Sequence, residues 1–244
     1  MAFRNRSEAG RRLAAALGQY KDQRPAILAL PRGGVPVAAE VAAALGAPLD
    51  LILVRKIGVP YQPELAMGAV VDGSEPIVVR NDDVILHSRI GDAEFQAVCD
   101  RELAEIERRR VRYLGNRRRV DVAGHTAIVI DDGIATGATV RAALRATRMR
   151  GPRRLVLAVP VAPTETVAEL RDEADDVVCL EQHEMFGAIG YYYADFRQVS
   201  DEEVVALLAQ HPVPEPGGAQ SPRARPNRDA PAPGVSRRRR RPPA

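Results

Sequence analysis

The sequence predicts an α/β fold: a mainly parallel sheet with helices on both faces, extended by a flexible loop or hairpin insertion and a small hood past the last strand. Two observations carry this. Short runs at residues 26–30, 49–54, 127–130, 155–161 and 177–180, apolar throughout but for Asp50, alternate with stretches of helical periodicity. Runs apolar at every position suit strands covered on both faces, and the alternation with helices is that of βαβ units. Second, two of these runs end in glycine-rich turns that lead straight into helix, PRGG at residues 31–34 and DDGIATGAT at residues 131–139. A chain of 244 residues is long enough to bury a sizeable core.

Taken in order, residues 3–20 place Leu13, Ala16 and Leu17 on one helical face, an amphipathic helix whose role is structural. Residues 26–30 form the first strand, PRGG the turn, and residues 35–45 an alanine-rich helix. Pro36 costs nothing in its first turn, where the missing N–H has no partner anyway. Gly46-Ala47-Pro48 closes that helix, and residues 49–54 form a second buried strand that delivers Arg55 and Lys56 to the same sheet edge. Residues 57–81 change texture, with Pro60, Pro63 and Pro76, and read as a mobile loop followed by a hairpin around Asp72-Gly73. Residues 92–114 carry Phe95, Val98, Cys99, Leu103 and Ile106 at helical spacing. Arg108, Arg109, Arg110 and Arg112, then Arg117 to Arg119, make the end of that helix basic, a solvated face suited to a helix C-terminus. Helix at 140–150, strand at 155–161, helix at 164–173 and strand at 177–180 complete the alternation. Five of the ten aromatic residues crowd into residues 186–196, FGAIGYYYADF, and Asp201 caps a last helix running to residue 208.

Residues 1–210 are expected to form one domain, with the insertion at about 57–120 and the hood at about 182–200. Residues 211–244 bring nine prolines and eight arginines without apolar periodicity, the composition of a disordered tail. That tail accounts for the formal net charge of +3, so the folded part need not be basic. Nucleic acid is therefore expected only through the arginine-rich tail. No apolar run reaches the roughly 18–20 residues of a membrane helix. The two cysteines, Cys99 and Cys179, lack metal-ligand spacing and read as reduced core thiols of a cytoplasmic protein.

The stretch 127–139 carries the most chemistry. Its apolar run ends in Asp131 and Asp132 at the carboxyl end of a strand, the rim where open α/β sheets bind ligands. The loop through Gly133, Ala135, Thr136, Gly137, Ala138 and Thr139 adds successive backbone N–H groups, two hydroxyls and a helix N-terminus, a setting for phosphate. Small side chains let the backbone itself approach the ligand. An ordinary strand-end turn, with Thr139 as helix cap, would need neither the paired acids nor both threonines. No Lys follows as in G-x-x-x-x-G-K-[ST], and no G-x-G-x-x-G follows a strand. PRGG repeats the strand, turn and helix geometry, with Arg32, Gly33 and Gly34 available to an anion and Lys56 at the neighbouring strand end.

This segment resembles the phosphoribosyl-diphosphate (PRPP) motif of type I phosphoribosyltransferases, matching it at Asp131, Asp132, Gly133, Thr136, Gly137 and Thr139. PRGG, RKIG, PELAMGAV and YYYADF extend the likeness over about residues 25–200, to bacterial proteins with a phosphoribosyltransferase domain. The resemblance implies the type I fold and transfer of ribose 5-phosphate from PRPP to a nitrogenous acceptor such as a nucleobase, with release of diphosphate. It makes Asp131 and Asp132 partners of the ribose hydroxyls and Arg32 and Lys56 partners of the diphosphate. Gly33, Gly34, Gly133, Ala135, Thr136, Gly137, Ala138 and Thr139 become the PRPP cradle. Mg²⁺ rides on the oxygens of PRPP, with no protein metal cage. The hood offers Phe186, Tyr191 and Tyr192, with Tyr193 and Phe196, to the acceptor, and the loop after residue 57 offers Tyr61 and Glu64 on closure. Ala135 and Ala138 stand where the 6-oxopurine enzymes carry Asp and Lys; Ala at position 135 looks more like the adenine-type loop and argues against a hypoxanthine or guanine acceptor, without establishing adenine. Three readings stay open: the transferase, a non-catalytic PRPP-sensing regulator that binds nucleic acid or protein, and hydrolytic or pyrophosphorolytic processing of a related sugar phosphate. A homo-oligomer is compatible with all three.

Overall fold

The computed structural model describes residues 2–73 and 76–213. Most of the expected tail, residues 214–244, lies outside the described residues. The packed chain runs on to Val213, which leans on the core; the His211 carbonyl accepts from Arg117.

The parallel elements are β1 (Ala26–Ala29), β2 (Leu49–Leu51), β6 (Thr126–Ile130), β7 (Arg154–Pro163) and β8 (Asp176–His183), in a five-stranded sheet ordered β2-β1-β6-β7-β8. Alternate residues point to opposite faces. Ile27, Ala29, Ile128, Ile130, Val156 and Ala158 face one core with α1 (Arg6–Ala16), α2 (Gly34–Leu45) and α7 (Asp201–Ala209). Leu28, Ala127, Val129, Leu155 and Leu157 face a second core with α5 (Ala138–Met149) and α6 (Thr164–Leu170). β1, β2 and β6 are buried throughout, as runs apolar or turned inward at every position should be. Helices on both faces and the parallel order agree with the sequence.

The region after β2 differs from expectation. β2 stops at Leu51, and Val54 opens β3 (Val54–Val59), which pairs antiparallel with β4 (Gln62–Val71), itself paired with β5 (Ile77–Arg80). The chain leaves the parallel sheet where two buried carboxylates take up its amides. Asp50 accepts from the N–H groups of Leu51 and Val120, both at 2.8 Å, and Asp72 accepts from Leu53 at 3.0 Å. Arg55 and Lys56 therefore sit on this second sheet and not at the end of a parallel strand. The stretch read as a loop is sheet because its prolines fall where a ladder tolerates them. Pro60 is in the turn, and Pro63 lies against the irregular register at Gly58, where a Cβ would meet the Pro63 carbonyl at 2.4 Å. β4 and β5 pair antiparallel, in keeping with the hairpin expected around Asp72-Gly73.

After α3 (Asp82–His87), α4 spans Asp92–Leu114 as its periodicity predicts, burying Phe95, Val98, Cys99 and Ile106. Two smaller corrections concern caps. Ser200, not Asp201, caps α7, its hydroxyl accepting from Glu203 N–H at 3.1 Å. The N-terminal helix begins only at Arg6, behind an Asn5 cap, and a 3₁₀ turn over Gly18–Gln23 follows. No helix among the described residues is long and apolar enough to cross a membrane.

Candidate active site

β6 delivers Asp131 and Asp132 to the carboxyl end of the parallel sheet, where they have unequal surroundings. Asp131 is partly exposed, and its Oδ1 accepts the N–H of Asp132 at 2.8 Å. Asp132 is only 7% exposed, and its Oδ2 accepts from Arg6 Nε at 2.7 Å. Arg6 is itself held by the Arg197 carbonyl at 2.7 Å and lies 3.9 Å over the Phe196 ring. The Tyr193 hydroxyl donates to the Asp132 carbonyl at 2.6 Å. Burial pushes the Asp131 carboxyl well above the usual carboxylate range, and the neighbouring Asp132 charge adds to it. Burial raises Asp132 too, while the Arg6 guanidinium pulls it back down.

The PRGG turn lies directly on these acids. A Cβ on Gly33 would stand 2.0 Å from Asp132 Oδ2, and one on Gly34 would stand 2.7 Å from the Ile130 carbonyl and 2.9 Å from Asp131 Cα. Glycine is required at both positions by close approach, of the Asp132 carboxylate at Gly33 and of the β6 backbone end at Gly34. The Pro31–Arg32 peptide is cis. Arg32 is turned toward α7, 3.5 Å from Asp201, whose carboxylate also meets Arg112 at 2.9 Å and the Tyr113 hydroxyl at 2.6 Å.

Beyond the acids, Gly133 fits against Ile189 and Val161, where a Cβ would come within 2.6 and 3.1 Å. The Ile134 N–H donates to Val161 at 3.0 Å, and Thr166 Oγ1 donates to the Ala135 carbonyl at 3.1 Å. Gly137 takes φ +73° and starts α5. The loop is thus pinned from below, while Ala135, Thr136, Ala138 and Thr139 remain exposed. The first amides of α5 have no intrahelical acceptors, so they face outward as donors.

A cleft of about 640 Å³ opens between the antiparallel sheet and α5, bounded by Thr136, Ala138, Thr139 and Lys56 with Arg80 and Arg145. Lys56 Nζ is tethered to Glu64 Oε2 at 3.0 Å and to its carbonyl at 3.2 Å. The expected site residues therefore form two adjoining groups. Asp131, Asp132, Gly33 and Gly34 make a closed knot, and Thr136 to Thr139 with Lys56 line the open cleft beside it.

The hood aromatics pack mainly on one another. Phe186 stacks on Tyr192 at 5.0 Å, and Tyr192 meets His183 at 4.5 Å. Tyr193, 2% exposed, lies between Phe196 at 5.1 Å and Phe3 at 5.3 Å. Tyr191 is the exposed ring of the group. Phe3 and Arg6 are the residues that sequence reasoning passed over. An arginine at a helix start, 126 residues from its partner acid, carries no local signal. The basic end of α4 is spent internally, with Arg108 and Arg109 on Glu105, Arg110 on Glu107 and Arg119 on Asp72.

The family described as phosphoribosyl transferase domain matches residues 3–197, from the Phe3 bridge through the hood. The chain belongs to this phosphoribosyltransferase family. Two strains of Mycobacterium tuberculosis carry a relative, described provisionally as a phosphoribosyl transferase, that is 48% identical over 206 residues. That alignment takes in 84% of this chain and 46% of the relative, so the chain spans about half the length of the curated relatives it matches. The crystal structure of TT1426 from Thermus thermophilus is similar with a TM-score of 0.77 and 42% identity, covering 87% of this chain and all of that one (100%). The α/β architecture with a mainly parallel sheet is the one expected of a phosphoribosyltransferase domain, and Asp131 and Asp132 directly follow β6, the middle strand of that sheet.

Proposed function

We propose that the protein is a Mg²⁺-dependent phosphoribosyltransferase of nucleotide metabolism in the cytoplasm, moving ribose 5-phosphate from PRPP to a nitrogenous small-molecule acceptor, a nucleobase, with release of diphosphate. The observation that supports this most directly is the contact of Gly33 and Gly34 with Asp132 and Asp131. It brings an anion-binding turn against the two acids of the PRPP motif, while the cradle at Thr136 to Thr139 continues from the same strand.

In this reading the 5′-phosphate takes the exposed amides and hydroxyls of Thr136 and Thr139. The ribose hydroxyls meet Asp131, the acid with an exposed edge. The diphosphate lies along PRGG and carries its cation with it as part of the substrate. Transfer makes the sugar ring cationic while charge gathers on the leaving oxygens. The acids serve the first centre. Arg32 and Lys56, each held now by a single surface carboxylate, are free to exchange Asp201 and Glu64 for diphosphate oxygens at small cost. Ala135 and Ala138 leave the loop without the Asp and Lys of 6-oxopurine enzymes, which favours an adenine-type acceptor. The test is incubation with PRPP, Mg²⁺ and a panel of bases while following diphosphate release. Release with one base, lost in Asp131→Asn with Asp132→Asn, is the expected result. Saturable binding of PRPP without release under any base would replace the transferase by the sensor.

A further inference from the structure

Two carboxyls at the heart of this site face one guanidinium. Asp131 and Asp132 are consecutive, Asp132 buried and Asp131 exposed at one edge only, and Arg6 is the only cation within ion-pair distance of either among the described residues. The other groups packed around them are already committed. Arg197 is paired to Glu203 at 2.9 Å, Tyr193 gives its hydroxyl proton to the Asp132 carbonyl, Arg32 faces Asp201, and Asp195 lies with Arg6 on a small groove behind the acids. Arg6 is fixed from three directions: by Asp132, by the Arg197 carbonyl and by the Phe196 ring.

Resting on the phosphoribosyltransferase reading, we propose that Arg6 is a positioning residue that divides the acid pair, holding Asp132 ionised against the PRGG turn and leaving Asp131 as the proton-bearing acid that meets the ribose. Two like charges this close and this buried do not ionise together without a second cation. PRPP brings one, as the metal on its diphosphate. Binding then moves the Asp131 proton to the solvent buffer, leaving two carboxylates opposite Arg6 and the incoming cation. The direction in which burial and Arg6 drive the two acids, opposed at Asp132 and additive at Asp131, agrees with this division.

The first measurement needs no ligand and no variant that fails to fold. Carbon-13 NMR titration of the aspartate carboxyls in the whole protein should show a group titrating above the ordinary carboxylate range that is lost in Asp131→Asn, apart from the buried Asp50, whose carboxyl burial also raises. If no high-titrating signal is lost in Asp131→Asn, the division is wrong whether or not PRPP binds. The second is calorimetry of PRPP with Mg²⁺ in two buffers of different ionisation enthalpy at neutral pH. Wild type should release up to one proton per site, most where the pH lies below the titration of the high carboxyl. Arg6→Met should bind at least tenfold more weakly, release more protons, and regain affinity as pH rises; Arg6→Lys should restore the wild-type count. An Arg6→Met protein that binds weakly with unchanged proton count and pH profile would make Arg6 merely structural and overturn the proposal. A wild type with the high-titrating carboxyl but no affinity for PRPP would instead sink the transferase reading, leaving the division of the acids intact.

Discussion

Gly33→Ala puts the contact between the PRGG turn and the acid pair to a direct test. Gly33 has φ −62° and ψ −36°, a conformation any residue adopts, so alanine brings no backbone strain and its cost is steric alone. The added Cβ would lie 2.0 Å from Asp132 Oδ2 and 2.5 Å from its Cγ, where ordinary contact needs well over 3 Å. Either the turn lifts or the carboxylate moves by an ångström or more, enough to break its 2.7 Å bond to Arg6. Overpacking costs about 1–3 kcal/mol and parting a buried ion pair about 3–5, so a loss of about 3 kcal/mol is expected after partial relaxation. The assay is urea unfolding beside PRPP titration, with Gly18→Ala as control, since nothing lies within 4 Å of a Cβ there. If Gly33→Ala matches the control in both stability and PRPP affinity, the turn does not rest on the acids and the proposed site falls with it.

Further outcomes follow from the same geometry. Asp131→Asn should abolish PRPP binding yet flatten the pH dependence of stability. A folded-state carboxyl raised above its unfolded value binds more protons folded than unfolded, so stability falls as pH climbs from about 4 through the raised value, and Asn removes that loss; urea midpoints between acid and neutral pH read it. Tyr193→Phe deletes the 2.6 Å bond to the Asp132 carbonyl and should cost about 1–3 kcal/mol in the same unfolding assay by leaving that carbonyl unpaired. Lys56→Ala should change stability by less than about 1 kcal/mol, because its partner Glu64 is exposed, while lowering diphosphate release in the base-panel assay at least tenfold. Ending the chain after Val213 should leave PRPP affinity unchanged in calorimetry.

What the sequence disclosed was local. The run into Asp131 and Asp132, the glycines at 33, 34, 133 and 137, and the period of α4 are each written within a dozen or two residues, where pattern and spacing act directly. Much of the antiparallel sheet was hidden by Pro60 and Pro63, which look like breakers until the turn and the irregular register at Gly58 are seen to house them, and by Pro76, which falls just before β5 begins. The exit of the chain after Leu51 depends on Asp50 and Asp72 capturing amides, one of them at Val120, and neither acid stands out in a list of charged residues. The hood aromatics were visible as a cluster, but their neighbours were not. Phe3 and Arg6 reach them from the opposite end of the chain, and only tertiary structure joins the two.

That last junction bears on how the molecule is made. Phe3 bridges Tyr193, its N–H donating to the Tyr192 carbonyl and its carbonyl accepting from Ala194, and Arg6 waits on Phe196 and the Arg197 carbonyl before its grip on Asp132 is complete. On the ribosome, β6 and its acids emerge long before these aromatic residues. Contacts of such sequence separation form late, after the loop between them has closed. An unfinished chain can therefore display the two acids without the brace behind them, and their surroundings become whole only once residues 193–197 have left the exit tunnel.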